Sequence, residues 1–202
     1  LSSLLPETAT EVTIKGPING TDVKYLRHLI NDMSLTSMDM TETRFVAGGE
    51  AYYNDYKATE DNVIGEYMFH ECPNLKVLRL PTSITRIKDK AFTFAGISEI
   101  DIPNNVKSIG WDGFASCPSL TKAVIGRGIT SLGQGVFWNS PLTDAYVKTT
   151  GIPTLGAYQF TSSPAIHVYS EILDKFQSSD WAQYGTLVGD LESYFPEDKD
   201  PA

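Results

Sequence analysis

Several residue types that mark particular protein classes are scarce in this sequence. It has 2 cysteines among 202 residues, which excludes a disulfide-dense scaffold and a four-cysteine zinc site within one chain. No stretch approaches the roughly 18 consecutive apolar residues that a membrane-spanning helix needs. The 16 basic residues are outnumbered by 25 acidic ones, giving a net charge of -9, and they form no basic run. Nucleic acids and anionic lipid surfaces are therefore poor partners for this chain.

Catalytic motifs are missing as well. The histidines are His28, His70 and His167, and no His-Glu-x-x-His, Walker A or Gly-x-Ser-x-Gly pattern occurs around them or elsewhere. The segments Gly126-Arg-Gly128 and Gly133-Gln-Gly135 look like phosphate-binding loops, but each falls at a turn of the repeat described below. We therefore predict a protein without catalytic residues, metal ligands or cofactor.

A repeat of 22 or 23 residues organises the middle of the chain. Five segments carry an aliphatic residue followed five positions later by phenylalanine, and these are Phe69, Phe92, Phe114, Phe137 and Phe160. After each of the first four comes a block of alternating aliphatic residues, which predicts a short strand with one face in the core. Units of this size cannot bury their apolar face alone. The copies must therefore stack, with their strands in one parallel sheet.

The repeat is nearly complete over residues 64–87, where it runs Ile-Gly-x-x-x-Phe, then Cys-Pro-x-Leu-x-x-Leu-x-Leu-Pro and a later Ile. This pattern resembles the BspA-like leucine-rich repeats, and the resemblance extends over about residues 35–169. It implies an α/β leucine-rich repeat solenoid of short parallel strands, turns and short helical segments. It also implies a protein of Bacteroidetes type that is extracellular or at the cell surface, where such proteins adhere to host proteins or other cells.

We expect a single domain over residues 1–202, because terminal repeats need caps that shield their core and strand edges from water. The expected parts are an N-terminal cap over 1–34 with a helix over about 22–31, repeats over 35–169 with an insertion at about 45–61, and a C-terminal cap helix and tail over 170–202. Thr21 is predicted to cap the first helix. The acidic, proline-containing residues from about 192 to 202 are predicted to be a loose tail or the entry to a linker.

Cys72 and Cys117 occupy the same column of the repeat, three residues after a phenylalanine. Two rungs separate them, and rungs about 4.8 Å apart place them roughly 9 to 10 Å from each other. That distance exceeds the Cα separation of about 7 Å that a disulfide can bridge. Both are predicted to be free, small, buried residues.

Alignment of the strands predicts which side chains point outward from the sheet. One outward ladder holds Asp39, Arg79, Asp101, Val124, Tyr146 and His167, and the next holds Ser37, Val77, Glu99, Lys122 and Asp144. We take Asp39, Arg79, Asp101, Tyr146 and His167 as candidate binding residues. The alternative is a solvated face on which opposite charges such as Arg79 and Asp101 pair between rungs.

A second candidate site lies in the insertion, where Tyr52, Tyr53 and Tyr56 cluster. Tyrosine supplies a large contact area with a polar tip at little cost in entropy. The alternative is that these rings fold back and cover the cap.

The sequence therefore favours a non-catalytic binding module, with a protein ligand as the first expectation and a glycan as the second. The alternative is a structural spacer or cap module that presents a neighbouring domain. Because the chain starts at Leu1, a secretory or lipid-anchoring segment before it is either absent or removed.

Overall fold

The computed structural model describes residues 1, 4–54 and 57–198, and the chain winds through successive coils of the repeat. Each complete coil has three sides: a strand of three or four residues, a strand of two residues, and a loop that contains the repeated phenylalanine. This is the α/β solenoid that the repeat predicts. The strands, in chain order, are β1 (Glu11–Thr13), β2 (Gly16–Ile18), β3 (Ser37–Asp39), β4 (Thr43–Phe45), β5 (Gly48–Tyr53), β6 (Lys57–Thr59), β7 (Val63–Ile64), β8 (Val77–Arg79), β9 (Arg86–Ile87), β10 (Glu99–Ile102), β11 (Ser108–Ile109), β12 (Lys122–Ile125), β13 (Ser131–Leu132), β14 (Asp144–Val147), β15 (Thr154–Leu155), β16 (Ala165–Val168) and β17 (Thr186–Gly189).

The strands on the first side of the coils form two sheets, and within each sheet neighbouring strands pair in parallel. One sheet has the order β1-β3-β8 and the other has the order β10-β12-β14-β16-β17. Asp39 lies opposite Arg79, and Asp101, Val124, Tyr146 and His167 lie opposite one another in successive strands. The predicted register is confirmed. The ladder is interrupted between β8 and β10, where the Ser98 amide still donates a hydrogen bond of 3.4 Å to the Lys76 carbonyl.

The second side of the coils is a sheet of two-residue strands in the order β15-β13-β11-β9-β7, all parallel. The aliphatic residue that precedes each phenylalanine by five positions is the second residue of such a strand, for example Ile64 in β7 and Ile87 in β9. The sequence pattern marked these positions as core. It did not show that they form a sheet of their own.

The core runs along the solenoid axis and is built around the phenylalanine column. Neighbouring rings stack with centroids 4.8 to 5.7 Å apart and planes within 13° of parallel. The first four rings are fully buried, and Phe160, at the end of the column, is partly buried. Because each ring contacts the rings of the coils before and after it, one column of sequence becomes one continuous stack.

Both cysteines are free and buried, as predicted. Burial raises the pKa of Cys72 to about 11 and that of Cys117 to about 12. The thiolate is the reactive form of cysteine, so these thiols are inert packing groups.

The backbone also bends through the left-handed region of conformation before each of the five phenylalanines and after the first four. Two positions before it, the residues with positive φ are Tyr67, Lys90, Asp112, Gly135 and Tyr158, and two positions after it they are Glu71, Phe94, Ser116 and Asn139. Non-glycine residues rarely adopt this conformation, and nothing in their identity indicates it. The repeated backbone of the coil imposes it.

The first helix, α1 (Gly20–Asn31), packs its predicted apolar face, Val23, Leu26, Leu29 and Ile30, into the core. The prediction that Thr21 caps it is wrong. Asn19 is the N-cap: its side chain accepts a hydrogen bond from the Thr21 amide, and Asp22 accepts one from the Asn19 amide. The Thr21 hydroxyl instead accepts a hydrogen bond from the Glu50 amide in β5.

The insertion forms an antiparallel hairpin of β5 and β6 that packs on α1. A Cβ atom added at Gly20 would lie 2.0 Å from the Glu50 carbonyl oxygen, so the helix meets β5 at a distance that only glycine allows. Before α1, β1 pairs with β3 and adds a rung ahead of the predicted first one. A short parallel pair, β2 with β4, lies alongside.

After β16 the chain forms a 3₁₀ turn (Ser170–Ile172), the helix α2 (Leu173–Gln177) and a second 3₁₀ turn (Asp180–Gln183), with Phe176 and Trp181 fully buried. It then returns as β17, which pairs with β16 and was not predicted. The loose tail predicted after about residue 192 is wrong for the described part. Within it, 3₁₀ turns lie at Leu191–Ser193 and Pro196–Asp198, and Tyr194 and Phe195 pack on Tyr146.

Candidate functional site

The open part of the sheet face is a groove over β8, β10 and β12, with a volume of about 730 Å³. We call it the sheet-face groove. It lies above the junction where the ladder between β8 and β10 is interrupted. Outward side chains of the three strands form its floor, and Lys148 and Phe195 line it from the side of the C-terminal segment.

The sheet-face groove is basic, although the protein as a whole is acidic. Its charged lining residues are Lys76, Arg79, Lys122 and Lys148 against Glu99 and Asp101. Two of the amines lie over aromatic rings: Lys122 Nζ is 5.4 Å from the Tyr146 ring centroid, and Lys148 Nζ is 4.5 Å from that of Phe195. Cation–π contacts of this kind position the amines without neutralising them.

Of the candidate residues on the sheet face, Arg79 and Asp101 are exposed and line the groove together. Asp39 lies beside Arg79 but is engaged locally, because its carboxylate accepts hydrogen bonds from the Thr41 amide at 3.0 Å and hydroxyl at 2.8 Å. These two bonds, with a smaller effect of Arg79, lower the pKa of Asp39. Asp39 therefore shapes the turn after β3 more than it presents a free carboxylate.

The prediction that Val124, Tyr146 and His167 are exposed is wrong. They point outward as predicted, but their relative exposures are only 6%, 8% and 5%. Residues 190–198, which we call the terminal segment, fold over Tyr146 and His167. The Tyr194 ring lies edge-on to Tyr146 and His167, with centroids 4.8 and 5.1 Å away, and Phe195 lies edge-on to Tyr146 at 6.0 Å.

His167 is fixed between two carboxylates under this cover. Its Nδ1 lies 2.7 Å from Asp190 Oδ1 and its Nε2 lies 3.3 Å from Asp144 Oδ1, while its ring stacks on Tyr146 at 4.5 Å. A hydrogen bond from the Thr143 hydroxyl, with one from His167, lowers the pKa of Asp144. The histidine thus joins strand β14 to the start of the terminal segment.

The tyrosines of the insertion fold back onto the chain. Tyr52 is buried, and its hydroxyl donates a hydrogen bond of 3.0 Å to the Glu66 carbonyl. Tyr53 is partly buried, stacked on Tyr67 at 4.9 Å and facing the Arg27 guanidinium at 5.2 Å. Their positions favour the covering role over a binding site. Tyr56 lies outside the described residues.

The same region contains an unusual histidine. His70 is 8% exposed, and its Nδ1 has no hydrogen-bond partner among the described residues. The rings of Tyr53, Tyr67 and Phe94 surround it edge-on at 5.2 to 5.8 Å. Burial, helped by the charges of Arg27 and Lys90 against the opposing effect of Glu71, lowers the pKa of His70.

Over the described ranges, no group of three or more His, Cys, Asp or Glu side chains is arranged to hold a metal ion. In the same part of the chain, no helix has the length and apolar character needed to cross a membrane.

The comparison with protein families confirms the class that the coils indicate. The model for the BspA type leucine-rich repeat region matches residues 58–167 in 6 copies, more than half of the chain. The chain belongs to this family. Membership suggests a protein-interaction module, and such proteins are typically non-enzymatic and often secreted or at the cell surface.

No curated protein matches this chain. Among solved structures it is similar to a leucine-rich repeat protein from Bacteroides ovatus ATCC 8483, with 19% sequence identity and a TM-score of 0.48. The match covers 78% of this chain and 39% of the other, so this chain spans about two fifths of that protein's length.

Proposed function

We propose that this chain is a non-catalytic protein-binding module and that it holds an acidic segment of its partner in the sheet-face groove. The observation that carries the proposal is the groove's charge: four basic side chains against two acidic ones, in a protein whose net charge is -9. A basic cleft in an acidic protein attracts acidic segments, and the negative charge of the rest of the surface disfavours their binding elsewhere. Arg79 and Lys122 are the proposed anchors for the acidic side chains of the partner. Asp101 is proposed to set the register of the partner segment along the groove.

The geometry of the face suits an extended ligand. Neighbouring strands lie about 4.8 Å apart, so outward side chains repeat at a fixed spacing along the solenoid. Repeat proteins use such extended surfaces for binding because the scaffold is ordered before the partner arrives. Val77, 50% exposed on the groove floor, supplies an apolar contact beside the charges.

The terminal segment supports the proposal from within the chain. It contains Glu192, Tyr194 and Phe195, and it lies on the same face directly beside the groove. Tyr194 packs on Tyr146 and His167, and Phe195 packs under Lys148. A partner segment that combines acidic and aromatic residues would make the same kind of aromatic and cation–π contacts in the adjoining groove.

Location and biological role belong to the same proposal. Family membership supports a secreted or cell-surface protein. Adhesion to host proteins or other cells is the form of binding that we propose for it.

The proposal is tested with a peptide array and a panel of immobilised host-matrix proteins. The array contains extended Glu- and Asp-rich peptides with one aromatic residue, and matched peptides with Lys and Arg in place of the acids. We expect the acidic peptides to bind and their affinity to fall as salt is raised from 50 to about 300 mM, because screening weakens exposed charge pairs. Arg79→Glu with Lys122→Glu should weaken binding at least about tenfold, or 1.4 kcal/mol.

The matched control is Lys107→Glu with Lys175→Glu, which changes the net charge equally at exposed positions that do not line the groove. It should leave affinity within about twofold, since long-range effects of surface charge are screened. Equal losses in the two double variants, or equal binding of the basic peptides, would refute the groove as the site.

A further inference from the structure

The loop side of the solenoid, which carries the phenylalanine column, exposes large aromatic side chains that do not belong to the core. On successive coils these are Phe94, Trp111, Trp138 and Tyr158, with relative exposures of 50%, 52%, 47% and 67%. The repeat places polar or small residues at most equivalent positions, so the repeated backbone does not need these rings. Exposed aromatic clusters on soluble proteins commonly mark binding surfaces.

Two of these rings flank a cleft, which we call the aromatic cleft. Its lining residues are Asp112, Gln134, Gly135, Trp138 and Tyr158, contributed by three successive coils, and its volume is about 370 Å³. That volume lies at the lower end of the range for small-ligand pockets, about 300 to 1,000 Å³. The cleft is lined by residues separate from those of the sheet-face groove.

Gly135 keeps the cleft open. It has positive φ, but the four equivalent residues in the other coils adopt positive φ without being glycine, so the backbone alone does not require glycine here. A Cβ atom at this position would lie 2.6 Å from Asp112 Oδ1 and 3.4 Å from the Trp138 Cβ. A side chain would therefore displace the carboxylate and occupy the space between the coils.

The cleft also holds polar groups that the protein leaves unused. Neither the Asp112 carboxylate nor the Gln134 amide makes a side-chain hydrogen bond within residues 4–54 and 57–198. Asp112 is partly buried, and this burial, opposed by Lys90 and reinforced by Asp89, raises the pKa of its carboxyl group. A partly desolvated carboxylate without a hydrogen-bond donor costs free energy that a hydroxyl-bearing ligand would recover.

We propose that the aromatic cleft binds a neutral saccharide. One pyranose ring packs its C–H face against Trp138 and Tyr158, while its hydroxyls donate to the Asp112 carboxylate and exchange hydrogen bonds with the Gln134 amide. Aromatic faces carry partial negative charge and attract the polarised C–H groups of a sugar. The carboxylate and the net charge of -9 disfavour an anionic sugar. The inference is independent of the groove, because the two sites share no lining residue.

The test titrates the whole chain with neutral gluco-, galacto-, manno- and xylo-configured oligosaccharides. Binding is measured by isothermal titration calorimetry and by tryptophan fluorescence. We expect at least one to bind saturably, and Trp138→Ala and Tyr158→Ala each to weaken it by about tenfold or more. Asp112→Asn, which keeps the shape and removes the charge, should also weaken it. Gly135→Ala, whose methyl group displaces the Asp112 carboxylate, should weaken it as well.

The matched control is Trp111→Ala, because this tryptophan is equally exposed on the neighbouring coil but does not line the cleft. It should leave affinity unchanged, as should Arg79→Glu with Lys122→Glu, which separates failure at this site from failure at the groove. Circular dichroism melts confirm that each variant is folded. The proposal is overturned if no oligosaccharide binds, or if Trp138→Ala and Trp111→Ala have equal effects.

Discussion

His70 follows a core phenylalanine at a position where the other coils carry Thr93, Ala115, Trp138 and Thr161. Its burial among aromatic rings is a property of this residue in this coil, because α1 and the β5–β6 hairpin cover only this end of the solenoid. The repeat pattern predicted that the position adjoins the core. The unpartnered Nδ1 and the lowered pKa depend on the covering elements, which lie outside the repeat.

His70 should make the stability of the protein depend on pH. Its pKa in the folded state lies below the ordinary 6.5, so as pH falls through about 6.5 the unfolded chain takes up a proton that the folded chain does not. The free energy of unfolding therefore decreases below that pH. We expect His70→Phe, which suits the ring cluster, to flatten this part of the profile in thermal melts at pH 7.5, 6.5 and 5.5.

His28→Phe is the control, because His28 is partly exposed on α1 and pairs with Asp32 at 2.8 Å. It should not flatten the profile in the same way. Parallel profiles of His70→Phe and the unmodified protein would contradict the assignment.

Among the secondary-structure elements, the helices and core strands were more predictable than the ends. The apolar face of α1 follows from 3.6-residue spacing, and the long strands follow from period-two alternation. The terminal segment has neither period, and its acidic composition suggested solvent exposure. Its aromatic pair, Tyr194 and Phe195, was the one signal from which packing could have been predicted, and the prediction of a loose tail did not use it.

The terminal segment should contribute measurable stability through Tyr194. Aromatic pairs contribute about 0.5 to 1.5 kcal/mol beyond buried area, and Tyr194 contacts both Tyr146 and His167. We expect Tyr194→Ala to lower the free energy of unfolding by about 1 to 2 kcal/mol in urea titrations. It should also open His167 to modification by diethyl pyrocarbonate.

Tyr158→Ala serves as the reference for this measurement, because Tyr158 is 67% exposed. Its cost should stay within about 0.5 kcal/mol. Equal costs for the two variants, with His167 still protected in Tyr194→Ala, would mean that the segment does not hold the sheet face closed.

For the whole molecule, stability is distributed along the coil stack. Repeat proteins are stabilised by each unit and by its contacts with neighbouring units. The phenylalanine stack shows these neighbour contacts directly, since each interior ring touches one ring on either side. An interior coil therefore has two partners in this column and the last coil has one, together with Tyr184.

This arrangement predicts a graded response to the same substitution. Phe92→Ala, in the interior, should cost about 3 to 5 kcal/mol, the usual range for a buried phenylalanine. Phe160→Ala, at the partly buried end, should cost about half as much. Chemical denaturation of the two variants measures the difference, and equal costs would show that the stack is not coupled as its geometry indicates.

The sequence by itself determined the period, the strand register, the phenylalanine column and the burial of both cysteines. These features depend on residues at fixed spacing, and stacking identical backbones repeats each local rule along the molecule. Only the tertiary structure decided that Tyr146 and His167 are covered while Arg79 and Asp101 remain open, and that Asp112, Gln134 and Trp138 share a cleft. Alternation shows which way a side chain points, but its exposure depends on segments that are distant in sequence and follow no repeat.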